Sequence, residues 1–528
     1  MELSRSSSLS CMQQWIFAVG CILLFSQNTG VHGRPPNFVI MLMDDMGWGD
    51  LGVYGHPARE TPNLDRMAAE GLLFTDFYSA SPICSPSRAS LLSGRLPIRN
   101  GFYSDTQKAR NSYLPQDVIG GISHDEVLFP EVLKEHGYRN KIVGKWHLGH
   151  RQQFLPLQHG FHEWFGAPDC HYHWDDTYIP NIPVYRDALM VGRYYEDFMI
   201  NTEIGISNLT QMYIKEAVDF IETQNKAGKP FLLYWAPDAT HTPLYASEKF
   251  RGRSIRGLYG DAVMELDHGV GVILDTLTKL GIANNTFTFF SSDNGAATYA
   301  HEAGGSNAPL LCGKQTTFEG GMREPAIAWW PGKIAPGRVS HQVNSLLDLH
   351  PTILDIAGLK PPSNLTFDGA SIKASLLDPA LPQQKRAMFF YRGDTLMKVR
   401  YGEYKAHYLT WGTPKVAEQE GYSYCPGQYV ANVTTRDLTD HSHEPLLFHM
   451  GRDPGEKYII SSSTVEYRGV MPMIEKVVQQ HKEVMVRGTP QLNWCDNAVQ
   501  NWAPAGCEKV NRCLTAPPSH LFKCNWPY

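Results

Sequence analysis

Hydrophobic residues fall along this chain in two textures. In the first, unbroken apolar runs stand between turn residues. Pro35-Pro36 leads into Asn37-Phe-Val-Ile-Met-Leu-Met43, which stops at Asp44-Asp45-Met46-Gly47. A run of that length without polar alternation fits a strand buried on both faces, as in a parallel sheet. Phe231-Leu-Leu-Tyr-Trp235 and Thr286-Phe-Thr-Phe-Phe290 read the same way, with helical patterns between them. Thr61-Pro62-Asn63-Leu64-Asp65 opens a helix that runs to Glu70 and ends at Gly71. Strands alternating with helices predict an α/β layer architecture. Past about residue 385 the second texture begins. Ala387-Met-Phe-Phe-Tyr391 and Tyr404-Lys-Ala-His-Tyr408 sit between turn residues and predict a small antiparallel sheet. A late helix is expected over 470–486, with Pro472 in its first turn. After Pro490 the chain is rich in Trp, Pro and Cys and shows no period.

These changes divide the chain into a leader (1–33), a large α/β domain (34–385), an antiparallel domain with a helix (386–487) and a Cys-rich tail (488–528). The leader has Arg5 ahead of an apolar run from Trp15 to Phe25, then small residues near Thr29–Gly33. The run is too short to span a bilayer, and no later segment offers the length, so a cleaved signal peptide and no membrane span are expected. Entry to the secretory pathway gives meaning to four sequons, at Asn208, Asn284, Asn364 and Asn432. It also makes disulfides the expected fate of Cys495, Cys507, Cys513 and Cys524. No paired CxxC or spaced His supports zinc there. The formal charge of −6 gives no hint of nucleic acid, but 21 His would reverse its sign in acid, which suits a polyanionic substrate in an acidic compartment.

Two acidic clusters follow two of the predicted strands, Asp44-Asp45 after the first and Asp293-Asn294-Gly295 after the strand through Phe290. Ligands of open α/β sheets bind outside the carboxyl ends of strands, so both clusters can face one crevice. Three carboxylates and an amide oxygen make a hard site suited to Ca²⁺ or Mg²⁺. Alone, either cluster reads as an ordinary turn.

The stretch Cys84-Ser85-Pro86-Ser87-Arg88 with Gly94-Arg95 downstream changes that weighing, because it resembles the sulfatase signature, with Ser93 where many members have Thr. Gly144-Lys145-Trp146-His147 and Lys314 ahead of Glu319-Gly320-Gly321 are also similar to sulfatase elements, and His241 follows the strand ending near Trp235. The resemblance implies an alkaline-phosphatase-like fold with a smaller C-terminal antiparallel domain and a tail returning toward the active site. It implies that a formylglycine-generating enzyme converts Cys84 to formylglycine. The aldehyde hydrate then attacks sulfur with one hydroxyl and expels sulfate with the other, which a Ser cannot do. By the same resemblance Asp44, Asp45, Asp293, Asn294 and the modified Cys84 hold one divalent cation, expected to be Ca²⁺. Arg88 orients the hydrate, and His147 is the base. His241 and Lys314 serve the leaving oxygen, Lys145 holds sulfate, and Tyr113 contacts sugar. Which of Lys145, His241 and Lys314 protonates the leaving group stays open.

The match is strongest to lysosomal, dimeric members that act as exosulfatases on keratan sulfate and chondroitin 6-sulfate, so a sulfated glycosaminoglycan substrate, lysosomal delivery and a homodimer are expected. The alternatives are a sulfatase for aryl or lipid sulfates and a phosphoesterase of the same fold. Cys84 in its oxidation motif argues against the phosphoesterase, whose nucleophile would be Ser or Thr.

Overall fold

The computed structural model describes residues 34–106, 113–171, 181–378, 380–381 and 385–525. The expected leader lies outside them.

The apolar run read first in the sequence is the centre of the molecule. β1 (Asn37–Met43) is buried at every position. It lies between two parallel neighbours, β7 (Phe231–Ala236) and β8 (Thr286–Ser292). Although the run shows no alternation, its side chains divide by period two. Phe38, Ile40 and Leu42 enter one hydrophobic layer, while Val39, Met41 and Met43 enter the other. Both faces are therefore covered, as the unbroken pattern requires. The layer on the first face takes in Ala89, Leu91 and Leu92 of α2 (Cys84–Ser93). The other takes in Leu64 and Met67 of α1 (Pro62–Glu70), together with the long helices Leu209–Ala227 and Gly257–Lys279.

Outward from β7 the sheet continues through β3 (Arg139–Gly144), β4 (Glu163–Gly166), β5 (Pro183–Arg186) and β6 (Leu189–Arg193). Beyond β8 lie β9 (Arg323–Trp329), β2 (Leu72–Tyr78) and β10 (Arg338–Ser340), with β11 (Asn344–Ser345) also on β2. The expected α/β layer fold is present, with a mixed rather than wholly parallel sheet. β9 runs antiparallel to β8 and β2, and β5 runs antiparallel to β4 and β6. What matters for function is the register of the central strands. Met43 pairs with Ser292, so Asp44-Asp45 and Asp293-Asn294 leave adjacent strands at the same level.

The C-terminal strands Ala387–Arg392, Thr395–Tyr401, Tyr404–His407 and Leu446–His449 form a four-stranded antiparallel sheet. Val470, Met471, Ile474 and Val478 of the late helix pack on it. That helix spans Val465–Val484, so it begins five residues before the expected start, and Pro472 lies inside it rather than in its first turn. The true start is set by Thr464, whose side chain accepts the amide of Tyr467. In the tail Cys495 pairs with Cys524 and Cys507 with Cys513. A further disulfide, Cys312–Cys425, was not anticipated from the sequence. Among the described residues no helix is long and apolar enough to cross a membrane.

Candidate active site

Cys84 opens α2, which follows β2, and all ten residues of this helix are buried. Ser85, Ser87, Ser90 and Ser93 give it no apolar stripe. It is threaded through the core and held by specific bonds, such as the Leu114 amide donating to Ser85 Oγ at 3.0 Å. The Cys84 thiol stands where the resemblance places the aldehyde. Its Sγ lies 3.5 Å from Asp44 Oδ1, 3.9 Å from Asp45 Oδ1 and 3.3 Å from Lys314 Nζ. Burial pushes this thiol well above its usual range, and the nearby Asp293 adds to the effect. An unmodified Cys84 is therefore a poor thiolate nucleophile.

The carboxylates are matched by cations. Lys145 Nζ donates to Asp44 Oδ2 at 2.7 Å, and Lys314 Nζ donates to both oxygens of Asp45 at 2.6 and 2.8 Å. Arg88 lies in the same helix turn as Cys84, and its Nε and Nη2 both reach Asp293 Oδ2 at 2.8 Å. All six of these charged side chains are buried, so removing any one would leave an uncompensated charge.

Asn294 donates its Nδ2 to Asp45 Oδ1 at 2.8 Å, and its Oδ1 has no hydrogen-bond partner. A buried, orphaned carbonyl oxygen amid three carboxylates is what a hard cation would complete. Ligand atoms of Asp44, Asp45, Cys84 and His241 lie within 4.8 Å of one another. The residues present thus fit a divalent cation of the Ca²⁺ or Mg²⁺ kind. The residues expected to hold it, Asp44, Asp45, Asp293 and Asn294, offer oxygen donors, which suit such a cation better than zinc.

Two residues of the site adopt left-handed backbone, Asp45 at φ 61° and His147 at φ 62°. Non-glycine residues hold that conformation at a cost of about 1 kcal/mol or more. In His147 the conformation accompanies a ring bond from Nε2 to the Leu114 carbonyl, 2.9 Å long. A carbonyl only accepts, so Nε2 carries the proton and Nδ1, which has no partner, keeps its lone pair. Burial, reinforced by Lys145 and Arg88, holds this imidazole well below its ordinary range and keeps it neutral. His241 donates from Nδ1 to the Thr242 carbonyl at 2.7 Å, which turns Nε2 toward Asp45 Oδ2, 3.9 Å away. Tyr113 is half-buried beside Leu114 and packs against the core.

Sequence reasoning missed the support of His241. His171 Nδ1 lies 2.8 Å from Asp238 Oδ2, while its Nε2 reaches the carbonyls of His241 and Pro243 at 3.1 and 2.9 Å. All three partners are acceptors, so this ring donates from both nitrogens and is an imidazolium. Burial opposes that charge, but the charge and hydrogen bond of Asp238, with the Pro243 carbonyl and Asp44, raise the His171 pKa in spite of it. Asp238 follows β7 by two residues, the kind of position that marked the two acidic clusters; His171 carries no motif. The tail was expected to return toward the site, and it does so through an intermediary. Ile119 donates to the Trp494 carbonyl and Asp496 to the Asp117 carbonyl, bracing the segment that begins at Tyr113-Leu114.

The description "Sulfatase" fits residues 36–359, more than half of the chain, and "C-terminal region of aryl-sulfatase" fits residues 383–515. The chain belongs to the sulfatase family. This sulfatase is 58% identical to the N-acetylgalactosamine-6-sulfatase of Canis lupus familiaris over 96% of its own length and 98% of the canine chain. It is 59% identical to the Homo sapiens protein of that name, over 94% of this chain and 95% of the human one. Among solved structures it resembles the PsFucS1 sulfatase from Pseudoalteromonas sp., with a TM-score of 0.73 and 29% identity over 86% of this chain and 93% of that one. The sulfatase is a sulfuric ester hydrolase, and the phosphoesterase alternative is set aside.

Proposed function

We propose that this sulfatase is a lysosomal exosulfatase that removes 6-sulfate from N-acetylgalactosamine or galactose in chondroitin 6-sulfate and keratan sulfate. The observation that carries the reading is Cys84 heading α2 within reach of two carboxylates and Lys314, in a chain more than half identical to proteins named N-acetylgalactosamine-6-sulfatase. The aldehyde hydrate that the family makes from this cysteine supplies two hydroxyls on one carbon, one to attack sulfur and one to release sulfate. Asp44, Asp45, Asp293 and Asn294 would hold the cation, expected to be Ca²⁺, which supplies charge stabilisation for the sulfuryl oxygens.

The chain's own residues then divide the work. Lys145, held in place by Asp44, is the cation that would hold sulfate oxygens. Arg88, clamped by Asp293, orients the group at position 84. His147 presents the lone pair of Nδ1 as a base, and His241 Nε2 and Lys314 Nζ would serve the leaving sugar oxygen. Delivery through the secretory pathway fits the exposure of Asn208, Asn284, Asn364 and Asn432, each free to carry a glycan. A homodimer completes the reading.

The deciding assay measures sulfate release from defined 6-sulfated and 4-sulfated N-acetylgalactosamine and from 6-sulfated galactose. Release from the 6-sulfated sugars is expected. Hydrolysis of aryl sulfates alone would refute the substrate, though not the chemistry. Mass spectrometry of the peptide bearing Cys84 should find the aldehyde, and Cys84→Ser should lower turnover by roughly 10³-fold or more.

A further inference from the structure

Beyond β3 and β4 the two chain segments run side by side. The Trp146 amide donates to the Ala167 carbonyl at 3.0 Å, and the His147 amide donates to the Pro168 carbonyl at 2.9 Å. This pairing brings His150 and Asp169, one beyond each strand, to the same carboxyl end of the sheet as Lys145 and His147. His150 Nδ1 and Asp169 Oδ1 lie 3.9 Å apart. That is too long for a hydrogen bond. Neither nitrogen of His150 and neither oxygen of Asp169 has a hydrogen-bond partner. Each residue is 2% exposed, as recessed as Cys84 itself at 2%. A buried polar group without a partner is costly, and here four unmet atoms cluster where the fold binds ligands.

The pair is also uncharged. Burial pushes Asp169 up to about 8 against the pull of Lys145, and it pushes His150 down to about 3. A protonated carboxyl and a neutral imidazole each present one donor and one acceptor. That equipment matches sugar hydroxyls, which donate and accept. It does not match a second sulfate or a carboxylate, which would call for cations. An ionised carboxylate here would repel the sulfate that Lys145 holds; a protonated one does not.

We infer that His150 and Asp169 form the subsite that recognises hydroxyls of the sugar ring bearing the sulfate. The inference rests on the substrate proposed above and adds two residues that set specificity for it. Neither residue is asked to act on the sulfate itself.

The test compares kcat/KM for a 6-sulfated monosaccharide with kcat/KM for a small aryl sulfate, which has no ring hydroxyls to recognise. In Asp169→Leu and His150→Phe the ratio of sugar to aryl sulfate should fall about tenfold or more, mainly through KM for the sugar. Asp169→Asn, which keeps an uncharged donor and acceptor, should hold the ratio within about threefold. Thermal unfolding checks that each variant is folded. Should an apolar variant not fold, Asp169→Ser and His150→Ser withdraw the same groups while staying polar, and the same fall is expected. An unchanged ratio in folded variants would mean that the pair holds only ordered water, and would overturn the inference. Equal losses on both substrates would overturn it too, by placing the pair in the scaffold. A wild-type enzyme active on the aryl sulfate but inactive on every 6-sulfated sugar would instead sink the substrate reading, and the subsite with it.

Discussion

Asp45 carries several demands at once. It accepts both bonds from Lys314 and one from Asn294, and it does so from a left-handed backbone. If it also holds the cation, replacing it has a readout independent of turnover. Elemental analysis of the purified wild-type enzyme should find a hard divalent cation in about one-to-one ratio, and Asp45→Ala should lose most of it along with several degrees of thermal stability. Stoichiometric zinc in active enzyme would contradict the assignment. Residues of this kind were legible in the sequence because they come in pairs directly after strands, where two neighbouring parallel strands bring them together. His150, Asp169, His171 and Asp238 were not legible. Each is a single polar residue, far in sequence from its partner, and its meaning arises only once β3, β4 and β7 are side by side.

Elements show the same division. Strands buried on both faces announce themselves as apolar runs, and β1, β7 and β8 lie where those runs predict. α2 could not be read by periodicity, since its buried faces include four Ser and an Arg. α1 was placed correctly, yet Thr61 does not cap it with its side chain. Instead Asp267, from the helix Gly257–Lys279, accepts the amides of Asn63 and Leu64. A tertiary cap of this sort leaves no local signal. The least legible element contact joins the C-terminal sheet to the loop that carries Lys314. Lys405 Nζ bridges Glu319 Oε1 at 2.9 Å and Glu456 Oε1 at 2.6 Å, and all three side chains are fully buried. The Glu319 amide donates to Glu456, and Tyr78, at the end of β2, donates to Glu319. Burial raises the Glu319 carboxyl, but Lys405 together with Lys398, Arg323 and Arg400 outweighs it and holds the group below its usual range. Lys405→Met would remove the buried cation that two buried carboxylates share and should cost about 3–5 kcal/mol. Arg436→Ala, which breaks an exposed pair with Glu418, should cost at most about 1 kcal/mol. Denaturant unfolding of the two variants distinguishes these outcomes, and similar small losses would mean that the network is not a clamp.

For the molecule as a whole, the sequence overstated the charge gained in acid. Among the described residues eight His are buried, His147, His150, His350 and His407 with them, so surface protonation is smaller than the sequence count of 21 suggests. Burial instead makes some of them a liability at low pH. His350 donates from Nδ1 to the Leu92 carbonyl, and burial pushes it down to about 4. In the unfolded chain it protonates near 6.5. Between those values the unfolded chain takes up a proton that the fold refuses, so stability declines as pH falls from about 6.5 to about 4, by roughly 3 kcal/mol at most. Asp169 works the other way. Its folded carboxyl is protonated below about 8, the unfolded one only near 3.9, and stability rises as pH falls between them. His350→Phe should therefore gain thermal stability relative to wild type at pH 4.5 compared with pH 7.5; an equal offset at both would refute the assignment. The tail bears on a different matter, the reading of alleles. The segment from Leu114 that fixes the His147 ring is braced at Asp117 and Ile119 by residues 494–496, and Cys495 is bonded to Cys524. A stop codon just before position 524 removes Cys524 and the short stretch after it and leaves every proposed catalytic side chain translated. It nevertheless deprives Cys495 of its mate, so a nonsense variant there belongs with the damaging alleles rather than the silent truncations.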